Sequence, residues 1–503
     1  MITVTEKSQP QADRSDPARL EKEIESGRSS RPPSLHHISD ASSPPDGTQY
    51  TTSDGRIFLS EELALDRARQ YPDENESIYL VYSAHDKDNP RNWPRWKKWY
   101  ITCFVSMLNI LTNPIYVISW LLLVIFQIPL ALAPNIVTVI VCRLLQGFFG
   151  SAPLTNTGGT ISDMWARNES GPAMAIYGLS STFGPPLALV ISGWIALDMG
   201  WRWLFWIYMA ILGGVWILLV LTVPETRHSI ILERKTKRLR KLLQSEGLAA
   251  ASHIHDAHAD EKRGLVSLFA ITLTRPFKFL FTEPITMAAA VYNGFIYGIV
   301  YLFNEAFPLL FGPGGHNFNI GQWGAAFSGL CIGSIVAAFL HPVQERYYLR
   351  QVSKNDGKGV PEARMHLARF GTFLLPISLF WFAWTSFSTV HWIVPIIASA
   401  FFGAGIYIII LAVLNYVVDS YQTYAASALA GVILVRNLVG AGFPLFGTQM
   451  YERLGMEWAG SLLAFLSLPM CVIPFIFFYK GEYLRRRSPW AREHFAQDED
   501  KPH

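Results

Sequence analysis

The sequence predicts an all-α polytopic membrane protein built as two helical bundles, and three observations carry that prediction. Half of its 503 residues are hydrophobic and only 16% are charged, with a mean hydropathy of +0.22, too apolar a balance for a soluble chain of this length. The charges crowd into a few blocks separated by almost charge-free runs of roughly 18 to 27 residues, the length a helix needs to cross a hydrocarbon layer. One polar, basic stretch, 224–282, stands between two such series of runs and divides the chain.

Residues 1–98 read as a disordered cytoplasmic tail, with Ser and Pro clusters at Ser29-Ser30-Arg31-Pro32-Pro33 and Ser42-Ser43-Pro44-Pro45 and few large aliphatics before Ile57. Its end, Trp93-Pro94-Arg95-Trp96-Lys97-Lys98-Trp99, interleaves rings and cations as the headgroup layer favours. Residues 99–223 read as a first, shortened bundle of about four crossings. The run 100–133 is longer than one crossing needs but has no polar turn, only Asn109 and Thr112-Asn113-Pro114, and it counts as one crossing. Spans are expected over roughly 136–157, 171–195 and 201–223. The stretch 224–282 is a central cytoplasmic loop, its run Arg234 to Lys241 a topology signal or a contact for anionic lipid. Residues 283–480 carry a second bundle of six spans, at roughly 283–310, 319–341, 366–385, 389–413, 424–448 and 457–479, and 481–503 a cytoplasmic tail.

Positive charge fixes the sidedness. Gln344 to Arg369 holds Arg346, Arg350, Lys354, Lys358, Arg364 and Arg369, and the tail holds Lys480 and Arg485-Arg486-Arg487, whereas 311–318 and 386–390 hold no Lys or Arg. Both termini and the central loop are therefore expected in the cytoplasm. The sequons Asn75-Glu76-Ser77 and Asn168-Glu169-Ser170 then fall on the cytoplasmic side and go unused.

Several function classes are disfavoured. A formal charge of +3 is too small to suggest a nucleic-acid partner. Cys103, Cys142, Cys331 and Cys471 all sit in apolar runs without metal or disulfide spacing, which predicts packing roles. His253, His255 and His258 are close in sequence but form no ligand pattern. No signal peptide opens the chain. With no nucleophile and base, phosphate-cradling loop or metal set, no enzyme and no cofactor is expected.

Charges at membrane depth are costly and mark functional positions. Arg143, in Arg143-Leu144-Leu145-Gln146-Gly147, and Arg436, in Val435-Arg436-Asn437, should each face a central cavity or a buried partner. Glu305 is the carboxylate within the apolar part of the 283–310 span: it could carry a proton, a buried carboxyl being harder to ionise, or latch the span end beside Pro308. Helical spacing sets Asn293 and Tyr297 on one face; with Trp381, Trp384 and Tyr407 they could line a mixed aromatic and polar pocket or face lipid or core. Gly178, Gly184-Pro185-Pro186 and Gly193 would allow close helix contact and a bend, as a gating element or a plain packing kink.

Several segments resemble the major facilitator superfamily, and within it the fungal drug:proton antiporters with twelve spans. They are Asn89-Pro90-Arg91-Asn92-Trp93, Gly150-Ser151-Ala152-Pro153-Leu154-Thr155-Asn156 with Gly158-Gly159-Thr160, Pro224-Glu225-Thr226, Asn304-Glu305-Ala306-Phe307-Pro308, and Phe443-Pro444-Leu445-Phe446-Gly447-Thr448-Gln449-Met450-Tyr451. The resemblance covers about 86–484. It implies a major facilitator fold of two parallel repeats with substrate held between them near the midplane. It also implies proton-coupled export of a drug, toxin or secondary metabolite by a monomer in the plasma membrane, with polyamines as the alternative substrate. In the family's fourth-span motif, matched by Arg143, Gln146 and Gly147, the Arg is implicated in proton coupling, and Asn156 becomes a cavity candidate. Gly184-Pro185 resembles the antiporter signature, though Ala188-Leu189 stands where a second Gly-Pro is common. The chain departs from the pattern between about 109 and 114, where half of a first span runs into what resembles the start of the third. A segment of a few tens of residues, with the second span and gate loop, is expected to be missing. About ten spans stand instead of twelve, which leaves open a member that no longer transports, a relic or a sensor.

Overall fold

The computed structural model describes residues 50–51, 57–71, 77–83, 86–108, 114–165, 169–222, 228–256, 265–355, 359–421 and 424–491. They divide into two compact units, Met1–Asn92 with His228–Lys262, and Trp93–Arg227 with Arg263–His503.

Residues 1–49 of the expected disordered tail lie outside the described residues; within the described ones the first unit holds strands and helices where a disordered tail and a loop are expected. It is a four-stranded sheet in the order β1 (Tyr50–Thr51), β2 (Ile57–Leu59), β3 (Ile78–Leu80) and β4 (Ile254–Asp256). The β1–β2 pair is antiparallel, while β2–β3 and β3–β4 are parallel, with Ile57 opposite Ile78 and Ile78 opposite Ile254. Helices Glu61–Gln70 and His228–Ser245 belong to the same unit. Leu232, Leu239 and Leu243 recur on one helical stripe and join Ile57, Phe58, Leu59, Leu80 and Ile254 in a single core. The apolar triplets of β2 and β3 are too short to signal structure by themselves; they fold because strand and helix arrive from a distant part of the chain. The basic run is therefore one side of an amphipathic helix. His255 lies against Arg240, Nδ1 to Nη2 3.1 Å, and His258 is outside the described residues.

Lys235 anchors this unit. Its Nζ lies 2.7 Å from Asp86, 3.0 Å from Asp88 and 3.2 Å from Glu61. Burial alone would favour the neutral amine, but the carboxylates outweigh it and push the Lys235 pKa up to about 12. Because the folded value is raised, the stabilisation is fully present below the ordinary lysine range and is lost as pH rises through about 12. Replacing Lys235 with Met should leave three clustered carboxylates unbalanced and destabilise the unit by about 2 kcal/mol, less than for a fully buried pair because Glu61 and Asp88 are partly exposed. Amide exchange at β3 and β4 should then accelerate by roughly thirtyfold; unchanged exchange would show that the cluster contributes nothing.

The second unit is helical. Eight described stretches are long and apolar enough to cross a bilayer: Ser170–Asp198, Trp201–Thr222, Pro284–Phe311, Ile320–Lys354, Pro361–Thr385, Ile393–Tyr421, Ala425–Gly442 and Pro444–Arg487. Val117–Ala131 and Ile136–Gly150 are shorter apolar helices. Gly455, at φ 78° and ψ 160°, interrupts the long final stretch, where a side chain would be strained.

The run 100–133 appears as three helices, Arg95–Leu108, Pro114–Ile125 and Gln127–Ala131. The unusual junction at 109–113 is outside the described residues. Indole donors tie this region together: Trp120 Nε1 donates to Leu212 O (3.1 Å), Trp216 Nε1 to Val117 O (3.0 Å) and Trp165 Nε1 to Thr102 Oγ1 (2.8 Å). Cys142, Cys331 and Cys471 are buried, as a packing role requires, but Cys103 is exposed.

The main core belongs almost entirely to residues after 279, with Ala175 the buried contributor from the first half. The 393–421 helix runs through its middle, 78% of its most apolar window being buried against 6% for 201–222. Close crossing is possible because Gly333 offers no Cβ, which would lie 1.8 Å from Ala400 O, and Gly403 none against Leu330 O at 2.5 Å.

Candidate substrate cavity and charge network

The 170–198 helix is seamed to the second half along its length. Near its start, Gly171 lies under the Glu345 carboxylate, which occupies the place of a Cβ. Further along, Tyr407 OH donates to Ala175 O at 3.2 Å, and Gly178 faces Leu411, 3.1 Å from an added Cβ to Cδ1. At the far end Gly193 meets Ile320 O, Gly321 and Gly324, and an added Cβ would lie 2.8 Å from that carbonyl. Gly184 and Gly147 face open space, and Pro185 is exposed while Pro186 is buried.

Arg436 lies in this interface. It is buried, its guanidinium 4.2 Å above the Tyr297 ring, and Nε reaches Asn437 Oδ1 at 3.4 Å. The Tyr297 hydroxyl in turn lies 3.3 Å from Ser181 Oγ on the 170–198 helix. A cation and an aromatic face thus bridge the two halves, the arrangement expected of a site for a polar or anionic group on an otherwise apolar molecule. Asn293, one turn before Tyr297, is buried; its Nδ2 donates to Ala289 O, and Oδ1 has no hydrogen-bond partner in the described structure.

The other sequence candidates scatter. Glu305 is half-buried and accepts a 2.9 Å hydrogen bond from Thr448 Oγ1, with its Cγ against Gly447; it forms no ion pair with Arg436 or Arg143 among the described residues. Arg143 is exposed, with the Phe205 ring at 5.1 Å, and it shares that exposed surface with Leu144 and Phe148. Gln146 is buried with Nε2 unsatisfied. Trp384 is about half exposed, donates to Ser461 Oγ at 3.1 Å and neighbours Trp458. Trp381 packs on Phe401. Asn156 belongs to the helix Ile136–Met164, but its side chain is outside the described residues.

A buried charge network stands apart from the sequence candidates. Arg364 donates from Nε to Asp419 Oδ2 (2.9 Å) and from Nη1 to Glu345 Oε2 (3.0 Å), and its guanidinium lies 3.4 Å from the Tyr348 ring centre. His341 Nε2 is 3.9 Å from the same Glu345 oxygen. Gln344 clamps the following segment, donating to Ala363 O and accepting from Leu367 N, both at 2.8 Å. A small cleft opens beside this network, lined by His341, Gln344, Arg364, Tyr407, Leu411 and Asn415 among others. It takes in Tyr407 but neither tryptophan. Arg364 reads in the sequence as one more loop cation, and no spacing connects 345, 364 and 419. Acidic residues at the ends of spans longer than a bilayer requires are the signal available.

Residues 106–444 match the Major Facilitator Superfamily. The chain is 35% identical over 438 residues to the efflux pump atB of Aspergillus terreus, covering 83% of this chain and 90% of that protein. It is 33% identical over 488 residues to the citrinin biosynthesis cluster MFS transporter mrr1 of Monascus ruber, covering 85% and 96%. A crystallised POT family transporter in complex with 5-aminolevulinic acid shares the fold with a TM-score of 0.50 at 10% identity, over 84% of this chain and 93% of that one. Two helical halves seamed along the 170–198 helix, a buried cation between them and this breadth of likeness lead to one conclusion: the chain belongs to the Major Facilitator Superfamily.

Proposed function

We propose that this protein exports a small organic compound, a drug, toxin or secondary metabolite, by alternating access between its two halves, driven by protons. The observation that carries the reading is Arg436 stacked on Tyr297 and linked through Ser181 to the opposite half. A substrate entering there would compete for the cation and the ring and so favour one arrangement of the halves over another. Relatives named as an efflux pump and as a transporter of a biosynthesis cluster support export as the direction. A buried arginine favours anionic or hydrogen-bond-accepting substrates over polyamines. The protein would act as a monomer in the plasma membrane with both termini in the cytoplasm and without catalytic activity.

Glu305 is the carboxyl proposed to carry the proton, and its link to Thr448 ties it to the helix beginning at Pro444. In vesicles holding the full chain and loaded with a panel of amphipathic organic anions and neutral compounds, an imposed pH gradient should drive efflux. Glu305→Gln should lower the gradient-driven part by about tenfold or more; undiminished pH-driven transport would remove Glu305 from that role. Absence of any gradient-driven movement by the parent chain would overturn the function itself.

One observation favours a second reading, a family member that no longer transports. Arg143 is exposed among apolar side chains, a costly position at membrane depth, consistent with a first half that lacks a covering element. Efflux by this chain, compared with a version carrying a restored second span, separates the two readings.

A further inference from the structure

The helix Val472–Arg487 ends in Arg485-Arg486-Arg487, and the chain then folds back against the bundle. Ser488, 1% exposed, donates its hydroxyl to Glu283 Oε2 in a short hydrogen bond and accepts one from Ala491 N at 3.0 Å. Glu283, equally buried, also accepts from Tyr421 OH at 2.9 Å, while its Oε1 finds no hydrogen-bond partner. Trp490 completes the seat, with its ring 5.2 Å from Phe279 and 4.9 Å from Tyr424. Residues 488–491 therefore form a latch over the ends of the 284–311 and 393–421 helices, held by one hydroxyl on a buried carboxylate and one indole in an aromatic slot.

We propose that Ser488 is a phosphorylation site for a basophilic serine/threonine protein kinase, and that the phosphate holds the latch open. Three arginines directly precede the serine, the cluster of cations that an acidic substrate cleft recognises. Arg486 donates to Glu482 and Arg487 to Tyr483, both within the same helix. Arg485 is held by Glu362 at 2.7 Å, so the last helical turn must fray for the kinase to take an extended segment. In the reaction the Ser488 Oγ attacks the γ-phosphorus of a nucleoside triphosphate. The bond from γ-phosphorus to the bridging oxygen breaks, the Oγ–P bond forms, the hydroxyl proton passes to the kinase base, and the nucleoside diphosphate departs.

The product does not fit where the substrate was. The hydroxyl that donated to Glu283 becomes an acceptor-only group of about −1.5 to −2 charges, facing a carboxylate already short of donors. Like charges in a water-poor pocket repel strongly, so the modified tail stays out. Conversely, the seated tail hides Ser488, and the kinase acts on the released fraction alone.

The test uses the full chain in lipid nanodiscs with ATP and the catalytic domain of a basophilic kinase, following phosphate on Ser488 by peptide mass spectrometry. A synthetic peptide of residues 482–494 reports whether the kinase reads the site. Trp490→Ala and Glu283→Gln, each taken as the monodisperse fraction, loosen the latch from opposite ends. The peptide should be modified, and Ser488 should be phosphorylated about tenfold faster in either variant than in the parent chain. Trypsin should cut after Arg487 faster in Ser488→Glu than in Ser488→Ala. Equal phosphorylation rates in the parent and both variants, or no phosphate on Ser488 in the loosened variants while the peptide is modified, would overturn the proposal. None of these readouts depends on transport, so the result stands apart from the export reading.

Discussion

Replacing Arg364 with Met should remove most of the folded protein from the membrane fraction, with a loss of about 3 to 5 kcal/mol. The reason is what would remain. Glu345 and Asp419 are both more than nine-tenths buried and both rely on this guanidinium. Removing the cation leaves two carboxylates in an apolar surrounding, a far worse state than never having had charges there. Arg364→Lys keeps the charge but cannot reach both carboxylates with one planar fork or lie flat on Tyr348, and should recover only part of the loss. A triple replacement by Met, with Gln at 345 and Asn at 419, should recover more than the lysine. Thermal unfolding in detergent, read by size-exclusion chromatography, orders these variants. Stability of the single Met variant equal to the parent would mean that the network does not hold the helices together.

The second large effect is expected at the other end of the seam. A side chain at Gly193 would run into the Ile320 carbonyl, and one at Gly324 into the Leu189 carbonyl at 2.9 Å. Backbone cannot move aside as a flexible side chain can, so Gly193→Val and Gly324→Val should pry the two halves apart there at about 1 to 3 kcal/mol each. Transport should fall by about tenfold or more, although each half keeps its own packing. Gly178→Ala is the control: its neighbour is the flexible Leu411 side chain, and near-parental efflux is expected. If Gly193→Val transported like the parent, this contact would have no part in the transport cycle.

Hydropathy alone locates spans in both halves, because a bilayer-length apolar run has few other uses: Pro284–Phe311 stands where 283–310 is expected, and Trp201–Thr222 where 201–223 is expected. Arg436 was legible for the same reason, as a charge that no lipid-facing position tolerates. Which way a side chain points was less legible. Trp381 and Trp384 sit on the same helix three residues apart, and only neighbouring helices decide that one packs on Phe401 and the other reaches Ser461. The Arg364 network could not be read at all, since its members come from three distant segments and each passes singly for a loop or span-end charge. The strand triplets of the first unit were invisible for a related cause: three apolar residues within a polar stretch carry no period.

The pairing of β3 with β4 imposes an order on synthesis. Ile78 emerges from the ribosome long before Ile254, its neighbour in the sheet, and every helix of the first half is made in between. At ordinary elongation rates the wait is roughly 10 to 35 s. Through that interval Ile57-Phe58-Leu59 and Ile78-Tyr79-Leu80 lack their final strand and the leucines of the 228–245 helix, presenting an open apolar edge of the kind that recruits other nascent chains or chaperones. The sheet-bearing unit is thus among the first segments translated and cannot be completed until half the protein has been made.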